Sequence, residues 1–384
     1  MAAKKPRAYR RIVAKFGTNL LTAGTAQLNL KVMSDLVKQV AQLRQNGVDI
    51  IIVTSGAIAA GRHRLNMNEE RPDGRAAARK ELRLRQVLAS VGQSHLMRSY
   101  DRLFAKHDLI VAQTLLTRRD LADRVGYLNT RNTLLSLLEL GVVSIVNEND
   151  VVAVEEIEDA HIGDNDNLSA LVANLVDADL LVLLTDTAGL YTADPRRDSD
   201  AQLIPRVERI TPEIEQLAGD SETAHGVGGM ITKLQAASLA CGGGADVVIA
   251  SGHEPNVLEQ LAQGEALGTL FPATTDRLES RKRWMRAGLA ARGKIVIDAG
   301  AAKALLSHGK SLLPAGVREV AGRFDRGDTV SICGDDGRRI AIGITNYGHE
   351  EVTAICGVRS DRIAGILGHQ YGAEVVHRNN LVLL

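Results

Sequence analysis

Two lysines stand next to glycine-rich turns and are suited to holding phosphate. Lys15 ends an apolar run and is followed by Gly17, where the missing side chain lets an anion approach the backbone. Lys233 follows the Gly-rich residues 226–232, which open a predicted helix. Both ammonium groups can neutralise charge on a phosphoryl group during transfer. Taken alone, Lys15 is more simply explained as a strand-end side chain that reaches into water.

Asparagine and aspartate side chains form two clusters, at residues 147–150 and at residues 163–169. Local turns and helix caps explain one such cluster well. They explain poorly two clusters sixteen residues apart, each beside an apolar run. Such a set can hydrogen-bond the amine and carboxylate of an amino acid, or it can hold lysines in place.

Two further loops follow apolar runs. Residues 54–61 are small and lead into a predicted helix, so they can present free backbone N–H groups to an anion. Close packing of a helix on a sheet explains these residues equally well. A polar loop at residues 185–195 follows another apolar run. Because ligands of open parallel sheets bind at the carboxyl ends of the strands, we expect these loops to meet at one edge.

Apolar periodicity predicts alternating strands and helices over the first two-thirds of the chain. The predicted strands are residues 11–16, 48–56, 109–116, 142–146, 180–185 and 246–251. Helical periods cover residues 30–46, 78–106, 129–140, 165–176 and 230–241. This alternation predicts an α/β domain with a parallel sheet of six or more strands, covered by helices.

The pattern changes after about residue 270. Residues 273–291 are polar and rich in arginine, which predicts a linker between one domain at 1–272 and a second at 292–384. The second domain has short apolar runs at 294–298, 311–314, 316–322, 328–334, 338–346 and 373–384. Glycines and charged turns separate these runs, a pattern typical of a small β-barrel or sandwich.

The charge balance and the cysteines exclude several classes of protein. Among 384 residues, Lys and Arg number 46 and Asp and Glu number 46, so no chain-wide field attracts nucleic acid or anionic lipid. No apolar run is long enough to span a membrane, and the first residues lack a signal-peptide core. The 3 cysteines have neither metal-site nor disulfide-framework spacing. We therefore expect a soluble, cytoplasmic protein with no membrane contact and no protein-only metal site.

Six motifs resemble the glutamate 5-kinases of the amino-acid kinase family, in the family's order: KFGTNLLT, VTSGAIAAGR, VNEND, GDNDNLSALVA, LLTDTAGLYTADPR and GVGGMITKLQAA. The tail from about Gly293 resembles a PUA domain. The resemblance implies a three-layer α/β/α sandwich around a mostly parallel sheet, followed by a small β-rich PUA-like barrel. It also implies ATP- and Mg²⁺-dependent phosphorylation of the γ-carboxylate of L-glutamate to L-glutamyl 5-phosphate, the first step of proline biosynthesis.

The resemblance also implies a role for individual residues of this sequence. The catalytic residues would be Lys15 and Lys233 on the transferring phosphate, with Asp166 and Asp164 orienting the lysines. The glutamate site would comprise Ser55, Gly56, Asn147, Asp150 and Asn165. The ATP site would comprise Lys15, Thr185, Asp186, Val227, Gly228, Gly229, Met230, Ile231, Thr232 and Lys233. Because a glutamate side chain is ionised at neutral pH, with a reference pKa of about 4.3, this reaction needs no general base.

Two segments depart from the family pattern. Val227 stands where threonine is expected, which removes a hydroxyl that could contact the nucleotide but keeps the backbone N–H. Residues 155–161 are longer and more acidic than expected between the two polar clusters. The resemblance alone implies feedback inhibition by proline, a homo-oligomer (dimer or tetramer) and association with glutamyl phosphate reductase.

Two alternatives stay open at this point. Kinases of the same family that act on aspartate, acetylglutamate or uridylate would share the fold and the lysines, and would differ in the two polar clusters. The PUA-like tail could instead make RNA binding the main activity. However, residues 292–384 carry a net charge of only +2, which gives little attraction for a phosphate backbone and favours a structural or regulatory tail.

Overall fold

A seven-stranded sheet organises the N-terminal part of the chain. The computed structural model describes residues 9–25, 27–67, 75–153, 165–219, 229–275 and 291–384. The strands are β1 (Arg11–Phe16), β2 (Asp49–Thr54), β3 (Val111–Leu116), β4 (Val143–Glu148), β5 (Leu180–Thr185), β6 (Asp246–Ser251) and β7 (Thr269–Phe271). They lie in the order β3-β4-β2-β1-β5-β6-β7, and all neighbours are parallel except β6 and β7. The predicted mostly parallel sheet is confirmed. The edge strand β7 was not predicted, because three residues are too few to show a period.

Helices cover both faces of this sheet. They are α1 (Thr18–Thr22), α2 (Leu30–Gln45), α3 (Ala57–Arg64), α4 (Arg75–Phe104), α5 (Arg118–Ala122), α6 (Arg124–Glu139), α7 (Asn165–Leu175), α8 (Pro212–Gly219), α9 (Met230–Gly243) and α10 (Val257–Ala262). One buried core joins α2, α4 and α10 to the alternate residues of β1, β2 and β5 that include Ile12, Ile50 and Leu180. On the other face, α7 packs against β1 and α9 against β6. The predicted three-layer α/β/α arrangement is therefore confirmed.

The carboxyl ends of the parallel strands form one edge of the sheet. Phe16 pairs with Thr54 at this edge. Val53 pairs with Val146, so Thr54 and the next residue of β4, Asn147, lie side by side. In the strand order, β1 has β2 on one side and β5 on the other, which makes it the point where the winding of the sheet changes direction. Parallel sheets bind ligands at such a switch point.

The helices α3 and α4 cross at two glycines. A Cβ atom at Gly61 would lie 1.9 Å from the carbonyl oxygen of Leu88, and one at Gly92 would lie 1.8 Å from that of Ala57. No side chain fits at these distances, so glycine is required at both places for the two helices to touch. Because α3 follows β2 directly, the crossing fixes α4 against the carboxyl edge of the sheet.

Among the described residues, a second compact unit contains residues 291–384 together with residues 122–129. Its strands are β8 (Gly293–Ile297), β9 (Val317–Gly322), β10 (Thr329–Gly334), β11 (Arg339–Ile344) and β12 (Leu381–Leu383). They form one sheet in the order β12-β11-β10-β8-β9, in which only β8 and β10 are parallel neighbours. Buried residues such as Ile295, Ile332 and Val376 form its own core. The prediction of a β-rich tail is confirmed.

Three helices of this unit were not predicted: α11 (Ala299–His308), α12 (His349–Ala354) and α13 (Ile363–Leu367). The first is the longest, and local signals explain its ends. Its start is capped by Asp298, whose Oδ1 accepts a hydrogen bond of 2.7 Å from Ala301 N. It ends at Gly309, whose φ of +56° is the left-handed conformation that favours glycine.

The short apolar run at residues 311–314 does not form a strand. Only Leu312 pairs there, as an isolated bridge to Val376, and Pro314 begins a short 3₁₀ turn. Proline has no N–H to donate to a neighbouring strand, which explains why pairing stops.

No helix among the described residues is both long enough and apolar enough to cross a bilayer.

Candidate active site

Asp166 lies between two lysine side chains, and these three residues form the centre of the site. Lys15 Nζ contacts Asp166 Oδ1, and Lys233 Nζ lies 3.2 Å from Asp166 Oδ2. The exposed fractions are 6% for Lys15, 7% for Lys233 and 0% for Asp166. Among these three residues, two ammonium groups and one carboxylate sum to a net positive charge in a buried place. This ion triad, Lys15–Asp166–Lys233, is therefore suited to an anionic ligand.

Three elements bring the ion triad together at the carboxyl edge of the sheet. Lys15 is the next-to-last residue of β1, Asp166 lies in the first turn of α7, and Lys233 lies in the first turn of α9. The sequence motifs predicted a site that contains these three residues, although they are far apart along the chain. The structure brings all three together.

The charge of Asp166 is fixed by its surroundings. Burial alone would raise the pKa of this carboxyl group, but the charges of Lys15 and Lys233 outweigh burial and lower it. Hydrogen bonds from Lys15 and Thr232 lower it further. Thr232 Oγ1 lies 3.0 Å from Asp166 Oδ2 and 2.8 Å from Gly229 O, so its one hydrogen serves one acceptor at a time. Asp166 is ionised at neutral pH and acts as a counter-ion to the lysines.

Three described helices of the N-terminal unit, the five-residue α1 and the longer α3 and α9, begin at glycines without a side-chain cap. The N-cap of α3 is Gly56, with a φ of +98°, and the N-cap of α9 is Gly229. With no capping side chain, the first N–H groups of each helix and its positive dipole end are available to an anion. Gly17 contributes in another way, since a Cβ atom there would lie only 3.7 Å from Lys15 Nζ. The missing side chain leaves the space next to this ammonium group open.

A hydrogen bond joins the loop after β2 to the start of α7. Asn165 Nδ2 donates to Ser55 Oγ at 3.0 Å. The other amide atom, Asn165 Oδ1, is buried and has no hydrogen-bond partner in the described part of the chain. Asp150 lies half-buried in the turn after β4. Ser55, Asn165 and Asp150 are therefore at the same edge of the sheet as Lys15.

The predicted ATP-site residues occupy the end of β5 and the start of α9. Thr185 is the last residue of β5, and its hydroxyl donates to Asp186 Oδ1 at 2.9 Å. Met230 and Ile231 are the first residues of α9. Thr187, a residue outside the predicted set, has a buried hydroxyl with no hydrogen-bond partner among the residues described. A ligand at the end of β5 could satisfy this hydroxyl.

Gln93 is a site residue that the sequence motifs missed. Asn147 Nδ2 donates to Gln93 Oε1 at 2.8 Å, across the face of the sheet that α4 covers. Two other side chains of α4 also contact this edge of the sheet: Gln86 bonds to Ala153 O, in the turn after β4, at 3.4 Å, and Tyr100 bonds to Thr54 Oγ1, at the end of β2, at 2.8 Å. The spacing of Gln86, Gln93 and Tyr100 is seven residues, and this polar stripe in a long helix was the available signal.

Several predicted features lie outside the described residues. These are Asp164, Val227, Gly228, the acidic stretch 155–161 and most of the predicted linker at 273–291. The roles expected for them stay predictions.

The described residues do not fit a protein cage for Mg²⁺. Within them, no group of three or more His, Cys, Asp or Glu side chains is arranged to hold a metal ion. Asp166, the buried carboxylate at the centre of the site, faces Lys15 with one oxygen and Lys233 with the other. A divalent ion here would have to be bound by phosphate oxygens and water, as is common for Mg²⁺ with nucleotides.

The chain is similar to known kinases over nearly its whole length. The sequence profile of the amino acid kinase family matches residues 10–251, and that of the PUA domain matches residues 293–367. A relative from Dehalococcoides mccartyi, named glutamate 5-kinase, is 52% identical over 98% of this chain and 99% of its own length. Relatives of the same name from Herpetosiphon aurantiacus and Pasteurella multocida are 52% and 48% identical, each over 97% of this chain and 98% of their own. Among solved structures, the UMP kinase of Bacillus anthracis matches 70% of this chain and 98% of its own, with a TM-score of 0.48 and 14% identity.

Proposed function

Because this chain belongs to the amino acid kinase family and is an enzyme of its glutamate 5-kinase branch, we propose that it phosphorylates the γ-carboxylate of L-glutamate with ATP. The products are L-glutamyl 5-phosphate and ADP, and the reaction is the first step of proline biosynthesis. The observation that carries the proposal is the ion triad, in which one buried aspartate holds two lysines at the carboxyl edge of the sheet.

The ion triad supports a transfer that needs no proton removal. A carboxylate oxygen of glutamate attacks the γ-phosphorus, the bond to the β,γ-bridging oxygen breaks, and ADP leaves. The attacking group is already ionised at neutral pH, so the barrier lies in bringing anions together and stabilising the phosphoryl charge. Lys15 and Lys233 supply positive charge there, and Asp166 holds both ammonium groups in place before the substrates arrive.

The other site residues bind and orient the two substrates in this proposal. Ser55, Gly56, Asn147, Asp150 and Asn165 line the glutamate pocket. The loop that begins at Thr185 holds ATP together with residues 227–233. The uncapped N-terminus of α9 supports this, because its free N–H groups suit a phosphate. Mg²⁺ bound to the nucleotide would neutralise part of the phosphate charge.

Because the chain belongs to this family, we also make proposals about its localisation, oligomeric state, inhibition, partner and domain bounds. We propose a cytoplasmic homo-oligomer that proline inhibits and that associates with glutamyl phosphate reductase. The catalytic domain would span residues 1–272, and residues 292–384 would form a PUA domain with a structural or regulatory role. Salt-dependent binding of transfer RNA to the purified protein below about micromolar would favour RNA binding instead.

The test is ADP release with Mg²⁺ and ATP, with hydroxylamine added to trap an acyl phosphate. The acceptors are L-glutamate, L-aspartate, N-acetyl-L-glutamate, uridylate and none. We expect turnover and hydroxamate with L-glutamate alone. Turnover on another acceptor and none on glutamate would contradict the proposed substrate and keep the family.

A further inference from the structure

Gln93, which is half-buried, and Asn147, which is buried, form an amide pair whose hydrogen-bonding capacity is only half used. Their one mutual hydrogen bond uses Asn147 Nδ2 and Gln93 Oε1. The remaining atoms, Gln93 Nε2 and Asn147 Oδ1, are both buried, and neither has a hydrogen-bond partner among the described residues. Leaving a buried polar atom unpaired costs folding free energy, and native structures rarely do so without a reason. Two such atoms on one bonded pair are available to the polar groups of a ligand.

Once its internal hydrogen bond is formed, the amide pair has one unpaired donor atom, Gln93 Nε2, and one unpaired acceptor atom, Asn147 Oδ1. If the oxygen and nitrogen atoms of both amides were exchanged, the free donor would lie on Asn147 and the free acceptor on Gln93. The amide pair would still offer one donor atom and one acceptor atom, whichever way the amides are assigned. An α-amino acid carries the matching groups on one carbon atom, because its carboxylate accepts hydrogen bonds and its ammonium group donates them. A ligand with only one of these groups would leave half of the amide pair unpaired.

The amide pair lies where a substrate can reach both it and the ion triad. Asn147 is next to Thr54 in the sheet, and Ser55 follows Thr54 and bonds to Asn165, the neighbour of Asp166. The amide pair belongs to the face covered by α4, whereas Asp166 belongs to α7 on the opposite face. An acceptor that crosses the edge of the sheet between them would have one carboxylate at the ion triad and its other end at the amides.

We infer that Gln93 completes a binding subsite for the α-amino acid end of the acceptor. Gln93 Nε2 donates to the α-carboxylate, and Asn147 Oδ1 accepts from the α-ammonium group. This inference rests on the proposed function, since it takes the acceptor to be an amino acid whose side-chain carboxylate reacts. Gln93 thereby acts on acceptor binding and specificity and does not touch the carboxylate that reacts.

The test compares Gln93→Leu with Gln39→Leu in the full-length enzyme. Gln39 is a matched control because its amide is also buried, and its Oε1 accepts from Leu258 N at 3.0 Å within the α2–α10 packing. We expect Gln93→Leu to raise the KM for L-glutamate by about 10- to 100-fold, as for loss of a hydrogen bond to a charged group. The KM for ATP and kcat should stay within about threefold, and Gln39→Leu should leave all three parameters unchanged.

A second variant, Gln93→Glu, replaces the amide with a carboxyl group of nearly the same shape. It tests the inference if the leucine variant does not fold. It places a carboxyl group against the substrate's α-carboxylate, so we expect a larger rise in KM for L-glutamate than with leucine. The inference would be overturned if folded Gln93 variants kept the wild-type KM for L-glutamate, or if Gln39→Leu raised this KM equally. The proposed function would still stand in that case if the wild-type enzyme phosphorylated L-glutamate. If the wild-type enzyme turned over uridylate alone, both would be wrong.

Discussion

The ion triad and the amide pair lie on opposite faces of the same sheet edge, and they differ in how complete they are. In the ion triad, each oxygen of Asp166 meets a lysine, so the charges are arranged before any substrate binds. In the amide pair, Gln93 and Asn147 satisfy each other once and leave two buried atoms unpaired. The ion triad is therefore complete before a substrate binds, whereas the hydrogen bonds of the amide pair are completed only when its ligand binds.

This difference separates two tasks of one pocket. A preassembled set of charges stabilises charge that develops during transfer, because it needs no reorganisation when the reaction occurs. An incomplete hydrogen-bonding pair recognises a particular ligand, because the wrong ligand leaves its atoms unpaired. Changes in the ion triad should therefore appear mainly in kcat and in stability, and changes at the amide pair mainly in the KM of the acceptor.

The largest expected effect is on stability, from Asp166→Asn. The variant leaves two buried ammonium groups without their shared counter-ion, and we expect a loss of about 3–5 kcal/mol in the free energy of unfolding at pH 7. Because folding lowers the pKa of Asp166, its contribution is present above the ordinary pKa of about 3.9 and is lost as the pH falls through the folded-state value. Urea unfolding of both proteins from pH 7 to pH 3 measures this difference.

The difference between wild type and Asp166→Asn should stay constant down to about pH 5 and shrink below about pH 4. Asp35→Asn is the control, because Asp35 is exposed on α2. A loss no larger than that of the control, or a difference unchanged at pH 3, would show that the ion triad is not a preassembled unit.

The next largest effect is on turnover, from Lys15→Met and Lys233→Met. Each variant removes one preorganised positive charge, and we expect kcat to fall by about 10²- to 10³-fold with the KM for L-glutamate changed far less. Steady-state rates of ADP release measure both parameters, with Lys38→Met on the exposed side of α2 as the control. A loss confined to the KM for glutamate would assign the lysines to acceptor binding and remove the contrast with the amide pair.

The smallest expected effect comes from the helix crossing, with Gly61→Ala. The new methyl group would overlap the backbone of Leu88, so α3 and α4 must move apart at a cost of about 1–3 kcal/mol. Since Gln93 follows Gly92 at this crossing, the KM for L-glutamate should rise by several-fold while kcat changes little. Gly242→Ala on α9 is the control, because a Cβ atom there meets nothing within 4 Å. A fall in kcat with an unchanged KM would mean that α4 supports the ion triad instead.

The sequence predicted the elements that carry continuous patterns. The strands ending at Phe16 and Thr185 agree with the apolar runs at both ends, and the long helix α4 follows its period. The pairing of Lys15 and Lys233 came from the resemblance to known motifs, since spacing alone does not bring residues so far apart together. Such motifs combine distinctive residue types with neighbouring glycines, and this combination can be recognised in a single sequence.

The parts that were missed depend on tertiary contacts. Gln93 lies in the middle of a helix, where glutamine is ordinarily a solvent-facing residue, and only the packing of α4 against Asn147 gives it a role. Residues 311–314 look like a strand, but Pro314 starts a turn instead. The strand β7 is three residues long and is held by β6 rather than by any pattern of its own.

The glycines that begin α3 and α9 have a practical consequence for anyone who handles the enzyme. Helix starts without a side-chain cap can bind tetrahedral oxyanions, so we expect phosphate or sulfate in a buffer to compete with the glutamate and the ATP that we propose to bind there. At the start of α9, such a competitor should raise the apparent KM for ATP linearly with its concentration. It also raises the melting temperature through binding to the folded state alone, with no change in the protein itself. Kinetic and thermal data from phosphate and from oxyanion-free buffers are therefore not interchangeable for this enzyme.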